Sequence, residues 1–449
     1  MSKRIRPWAV VYLVALALVA CSLAPTTRLT GAQVATRPAT KPTATTRPAA
    51  TARPASVAAV TDAVLRETSD VRQLSVMRPV KSGTQSRAEI ERMLVRNFEE
   101  ESTPEETRAG ELTLKKLGLL PPDFQLRPFL VSVLTEQILG YYDPKTKQFY
   151  LADWVDPQGQ EAVIEHELTH ALQDQHFNLL RFERPRKGES DADASVHALV
   201  EGDATWSMML YMQRDLRRAF AMLRSAATAQ TAKIDAAPRA LRETLTFPYQ
   251  QGMLWVRQLY QRGGWKAVDD AFTNLPQSTE QIMHAEKYFA REAPVKIELP
   301  DLSPTLGAGW RRIDSDVSGE WGYYLILDQF LNDEQTSRAA AAGWGGDRYA
   351  LYENARTHET VLAQRTAWDT EQDAHEFFDA YVKRTERRYP GATSEIGGTP
   401  PVPADSAVFL TSEGAVEIRR EGLYVAILEG MPVKADVGRL MTRMLTATR

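Results

Sequence analysis

Residues 166–170 read His-Glu-Leu-Thr-His, and this pentad constrains the chain more than any other segment. Two imidazoles at i and i+4 share one side only on a helical backbone, where residues four apart stand one above the other. Val163, Ile164, Leu168, Ala171 and Leu172 surround the pentad with uncharged side chains, so the helix is expected to be buried. Buried polar groups need partners. A metal ion supplies them: His166 and His170 can reach one zinc, and Glu167 stands where it can polarise a water held there. Zinc lowers the pKa of such a water to about 7, and the carboxylate then serves as general base.

Two histidines do not complete a catalytic zinc site, which needs a third protein ligand and a position left for water. Two residues compete. His176 follows His166 by ten residues, but the place of a helix-ending glycine is taken by Gln173. On a continuing helix His176 would face about 80° away from His166. Glu201 belongs to the next predicted helix, from Ser190 to about Ser225. Asp193, His197 and Glu201 recur there every fourth residue on an otherwise apolar element. That polar stripe makes Glu201 the favoured third ligand, with Asp203 a possible support for a ligand histidine. Gly202, a poor helix residue, points to a close approach of another helix at that level.

The pentad and its surroundings resemble the active-site helix of zincin metallopeptidases, and the glutamate on a following helix is similar to the gluzincin arrangement. The run His166 to Phe177 also resembles uncharacterised bacterial zincin-like proteins. So do Gly140-Tyr141-Tyr142-Asp143-Pro144, Leu199-Val200-Glu201-Gly202-Asp203-Ala204 and the segment Pro276 to His284. The likeness covers roughly residues 115–290. Thr205, four residues after Glu201, departs from the thermolysin-like pattern, which has Asp there. The resemblance implies one zinc per chain on His166, His170 and Glu201, with Glu167 catalytic. It also implies a rim strand before the helix along which an extended peptide pairs, a role expected for Lys147–Leu151. A donor to the tetrahedral oxyanion is required as well. His197, His284 and Tyr288 are the candidates, the two histidines preferred.

The rest of the chain frames this site. Lys3, Arg4 and Arg6 precede an apolar stretch, Trp8 to Ala20, which is too short to span a bilayer. It ends at Cys21, the single cysteine, in an arrangement resembling a bacterial lipobox. Residues 1–21 therefore read as a lipoprotein signal, with lipidated Cys21 the membrane partner. Residues 22–57, rich in Thr, Pro, Ala and Arg, read as a disordered tether. Residues 58–300 form the expected mainly helical, zincin-like lobe, with a hairpin turning at Asp143-Pro144 before the pentad helix. Residues 301–449 form a smaller lobe, with strands at Arg348–Tyr352, Thr360–Thr366, Ala407–Leu410, Ala415–Arg419 and Leu423–Leu428. The fold class is α+β. The glycine-rich loop Gly343 to Tyr349 reads as structural and as a contact between lobes. A formal net charge of −4 offers no field to hold phosphates, so no nucleic-acid partner is expected. The expectation is a zinc peptidase of the bacterial cell envelope acting on peptide or protein. The alternatives are a non-enzymatic zinc-binding lipoprotein and a zinc hydrolase of peptidoglycan.

Overall fold

A computed structural model describes residues 56–182, 186–228, 232–396, 405–432 and 435–446. Cys21, the signal and nearly all of the tether lie outside the described residues. The architecture is α+β. Helix α1 (Val57–Arg72) leads to strand β1 (Lys81–Gln85), then α2 (Arg87–Glu101), α3 (Pro104–Lys116) and α4 (Leu126–Gln137). The boundaries of α2 and α3 follow from local chemistry. Ser86 with Glu89, and Thr103 with Glu106, form reciprocal capping boxes, and Pro104 opens α3 where its missing N–H costs nothing.

Strands β2 (Gly140–Asp143) and β3 (Gln148–Ala152) form the hairpin, with Asp143 accepting from the Lys145 N–H and the Thr146 hydroxyl at the turn. Strand order is β1-β3-β2. β1 pairs with β3 in parallel, Lys81 opposite Gln148. This corrects the expectation that Lys147–Leu151 offers a free edge. β3 is central, because β1 covers its far side, and the outer strand beside the pentad helix is β2.

α5 (Glu161–Phe177) carries the pentad, and α6 (Ser190–Gln213) packs beside it. The expected single helix from Ser190 to Ser225 is broken after Gln213. Asp215 accepts from the Arg217 N–H at 3.0 Å and starts a new helix, α7 (Leu216–Thr228). Ser190 does not cap α6 with its own side chain. Its N–H and hydroxyl both donate to Asp316 of the C-terminal lobe. Helix α8 (Arg239–Thr273) is interrupted at Gly263 and Gly264, the latter at φ 61°.

The C-terminal lobe is a seven-stranded antiparallel sheet, β4 (Trp310–Asp316), β5 (Trp344–Asn354), β6 (Thr360–Trp368), β7 (Thr393–Ile396), β8 (Ser406–Thr411), β9 (Gly414–Glu421) and β10 (Tyr424–Met431). Their order is β4-β5-β6-β10-β9-β8-β7. It carries α9 (Gly319–Leu331), α10 (Glu334–Ala341), α11 (Glu371–Arg388) and α12 (Val437–Leu445). One apolar cluster runs from Leu199, Trp255 and Phe272 through Trp321 and Tyr323 to Leu351, Phe377 and Ile418, so both lobes share a core. The glycine-rich segment belongs to the start of β5 and does join the lobes. Val295 donates to the Gly345 carbonyl, and Arg348 reaches Gly188 and Glu189.

Candidate metal centre

α5 is buried on every side across the pentad. His166 and Glu201 are each 1% exposed, His170 8% and Glu167 9%. α6 crosses α8 at two glycines. A Cβ added to Gly202 would lie 2.3 Å from the Gly252 carbonyl carbon, and one at Gly252 would lie 2.1 Å from the Ala198 oxygen. The close approach read from Gly202 is therefore real. It sets Tyr249 of α8 against the His166 ring, centroids 6.1 Å apart, and fixes Glu201, one residue before the crossing.

Three donor atoms converge there. His166 Nε2 lies 3.1 Å from Glu201 Oε2 and 3.1 Å from His170 Nε2, and His170 Nε2 lies 3.3 Å from the same oxygen. Ligands on a tetrahedral zinc at about 2.0–2.1 Å stand roughly 3.3 Å apart, so these spacings suit such an ion. The electrostatics agree. Two imidazole nitrogens facing each other across 3.1 Å need a proton or a cation between them. Burial pushes His166 below its ordinary value. Burial would lower His170, but the Glu201 charge and hydrogen bond, the Glu167 charge and the Gln173 hydrogen bond together raise it to about 9. Burial would raise Glu201, yet the His170 charge and hydrogen bonds from His166, His170 and His197 hold it well below the usual range. The site is arranged to hold positive charge.

Supporting contacts surround the three. His170 Nδ1 faces Gln173 Oε1 at 2.8 Å. Gln173 Nε2 donates to the Val200 carbonyl at 3.0 Å and to Asp203 Oδ2 at 2.8 Å. Asp203 in turn accepts from Arg72 Nε at 2.6 Å. Asp203 thus supports His170 through Gln173. Gln173, at the place considered for a helix-ending glycine, bridges His170 and Asp203. His197 Nε2 lies 3.3 Å from Glu201 Oε1, the oxygen turned away from the histidine pair. Glu167 Oε2 accepts the Tyr142 N–H at 2.9 Å, tying the expected base to the outer strand β2. Burial raises Glu167 to about 7.

The other candidates lie elsewhere. His176 is half-buried and bonds the Ser75 carbonyl at 2.8 Å, away from the cluster. His284 Nε2 pairs with Glu320 Oε1 at 2.9 Å, against α9 of the C-terminal lobe. The Tyr288 hydroxyl donates to the Asn274 carbonyl. Neither His284 nor Tyr288 is drawn to the histidine pair by any of these contacts. Arg72, Gln173 and the buried Glu165 were not singled out by the sequence. Burial raises Glu165 to about 8, and its Oε1 accepts from Thr169 and Ser207. A second grouping, Glu280, Glu292 and Asp369, surrounds the Lys287 ammonium, which already supplies its positive charge.

Residues 306–441 match a family described as Domain of unknown function (DUF8575). The match covers less than a third of the chain and falls in the C-terminal lobe, away from the histidine–glutamate cluster. No curated protein and no solved structure matches.

Proposed function

We propose that the chain is a zinc-dependent peptidase held at the bacterial cell envelope by its N-terminus. The observation that supports this most is the convergence of His166, His170 and Glu201 donor atoms to 3.1–3.3 Å inside the core. A zinc held by these three would supply Lewis acidity and a water acidified to about pKa 7. Glu167 would be the general base and then the proton donor to the departing amine. The Tyr142 N–H holds the Glu167 carboxylate in position for both transfers. Gln173, Asp203 and Arg72 orient His170, and His197 orients Glu201. An extended substrate lies along β2, the outer strand nearest Glu167.

No helix among the described residues is long and apolar enough to cross a membrane. The proposed anchor is the lipidated Cys21 that the sequence suggests. The test compares full-length protein with Glu167→Gln for zinc content and for cleavage of unfolded casein. One zinc in both, with cleavage confined to the unsubstituted protein, supports the reading. Zinc in both with cleavage in neither favours the non-enzymatic alternative. Muropeptide hydrolysis without casein cleavage moves the target to peptidoglycan.

A further inference from the structure

Helix α7 reads Leu216-Arg217-Arg218-Ala219-Phe220-Ala221-Met222-Leu223-Arg224. At 100° per residue Leu216, Phe220 and Leu223 fall in a wedge about 60° wide. A helix of a soluble body turns such a stripe inward. Here it faces outward, with Leu216 70%, Phe220 62% and Leu223 55% exposed. The opposite side is pinned. Arg218 pairs with Glu67 of α1 at 2.8 Å and Glu161 of α5 at 3.2 Å, lies over the Tyr211 ring at 3.9 Å, and Met222 packs into the apolar cluster behind. Turning the stripe inward would break both ion pairs, so its exposure is built into the fold.

The surroundings identify what covers it. Arg217 and Arg224 lie along one side of the stripe and Arg214 precedes it, against one acidic residue in the segment, Asp215, which pairs with Arg217 at 2.7 Å. Residues 22–56 carry Arg28, Arg37, Lys41, Arg47 and Arg53 and no acidic residue. That basic segment runs into α1, the helix to which Arg218 pins α7. Trp154, 36% exposed beneath the Arg87 guanidinium, precedes the turn Pro157–Gly159 that packs against α7. Exposed apolar side chains bordered by arginine match the boundary between lipid headgroups and acyl chains. An isologous contact with a second copy would set the basic rim against itself.

We propose that α7 is a membrane-surface element that lays Leu216, Phe220 and Leu223 into an anionic lipid face and so sets the orientation of the body on the membrane. The inference does not depend on the peptidase reading. To test it, full-length Phe220→Cys protein is labelled with an environment-sensitive fluorophore and reconstituted with two kinds of vesicle, phosphatidylcholine alone and phosphatidylcholine with phosphatidylglycerol. Unsubstituted protein, labelled identically, accounts for Cys21. Val295→Cys reports another exposed apolar position. The expected result is a blue shift at position 220 on the anionic vesicles, and water-like emission at position 295. Replacing Leu216 and Leu223 by Ser should weaken the response roughly tenfold for each residue. Absence of the shift on anionic vesicles overturns the proposal, as does an equal shift at position 295. A shift that grows with protein concentration without vesicles also overturns it, and assigns the stripe to a second copy.

Discussion

Gly202→Ala is the substitution that most directly probes how the proposed metal centre is held. The added Cβ would stand 2.3 Å from the Gly252 carbonyl carbon and 2.4 Å from its oxygen, where ordinary contact begins near 3.4 Å. Both obstacles are backbone, so no side chain can swing aside. α6 must move from α8 by the difference, 3.4 Å less 2.3 Å, or about 1.1 Å. Overpacking of this kind costs about 1–3 kcal/mol, and a rigid obstacle places it at the upper end. Alanine returns about 1 kcal/mol in helix propensity, leaving a net loss of about 2 kcal/mol. Glu201 is the preceding residue and moves with the helix. Functional constellations tolerate about 0.5 Å of misplacement, so zinc affinity should fall at least tenfold. Urea unfolding followed by circular dichroism gives the stability, and competition with a chelating dye gives the affinity. Gly438→Ala, where the nearest foreign atom is 3.9 Å from the new Cβ, serves as the neutral control. If Gly202→Ala matches the unsubstituted protein in both measurements, the helix crossing does not position Glu201 and the reasoning fails.

Other predictions concern the groups around the cluster. Gln173→Leu removes the partner of His170 Nδ1 and leaves Asp203 with Arg72 alone, so zinc affinity should drop about 10–100-fold while the fold persists; an unchanged affinity in the dye assay would count against the orienting role. Arg72→Met strands the fully buried Asp203 carboxylate and should cost about 3–5 kcal/mol in urea unfolding, whereas a loss under 1 kcal/mol would contradict it. Asp191 is buried at the lobe junction, where burial raises its carboxyl to about 7 from an ordinary 3.8 with Asp347 and Glu320 nearby. The folded chain therefore keeps a proton that the unfolded chain has released. The resulting stability is fully present below pH 3.8 and is lost as pH rises towards 7, by at most about 1.4 kcal/mol per pH unit. Asp191→Asn should flatten the fall in stability between pH 5 and 7 by that amount, and an identical slope in both proteins would refute it.

What the sequence disclosed and what it hid have physical reasons. The pentad, the stripe ending at Glu201 and the glycine at 202 are periodic signals on helices, so the elements carrying the cluster could be placed from residue spacing. The capping boxes at Ser86 and Thr103 are local signals of the same kind. Asp215 was a local signal too, and it went unread because the apolar pattern continues past it into Leu216. β1 was hidden. Lys-Ser-Gly-Thr-Gln has little strand propensity, and it is held by parallel pairing with β3, more than sixty residues away. That pairing made the expected rim strand central. Gln173 and Arg72 were invisible for a similar reason, since Asp203, the partner that joins them, stands on a third helix. α9 went unassigned because Gly319, Glu320, Gly322 and Asp328 interrupt its apolar run.

The most direct test of the account is zinc content in the full-length chain and in its His166→Ala and Glu201→Ala variants, measured by atomic emission after dialysis against trace zinc. The account predicts about one zinc per chain in the unsubstituted protein and its loss in both variants. Zinc retained in folded Glu201→Ala would remove the third ligand, and a folded unsubstituted protein without zinc would contradict the central claim.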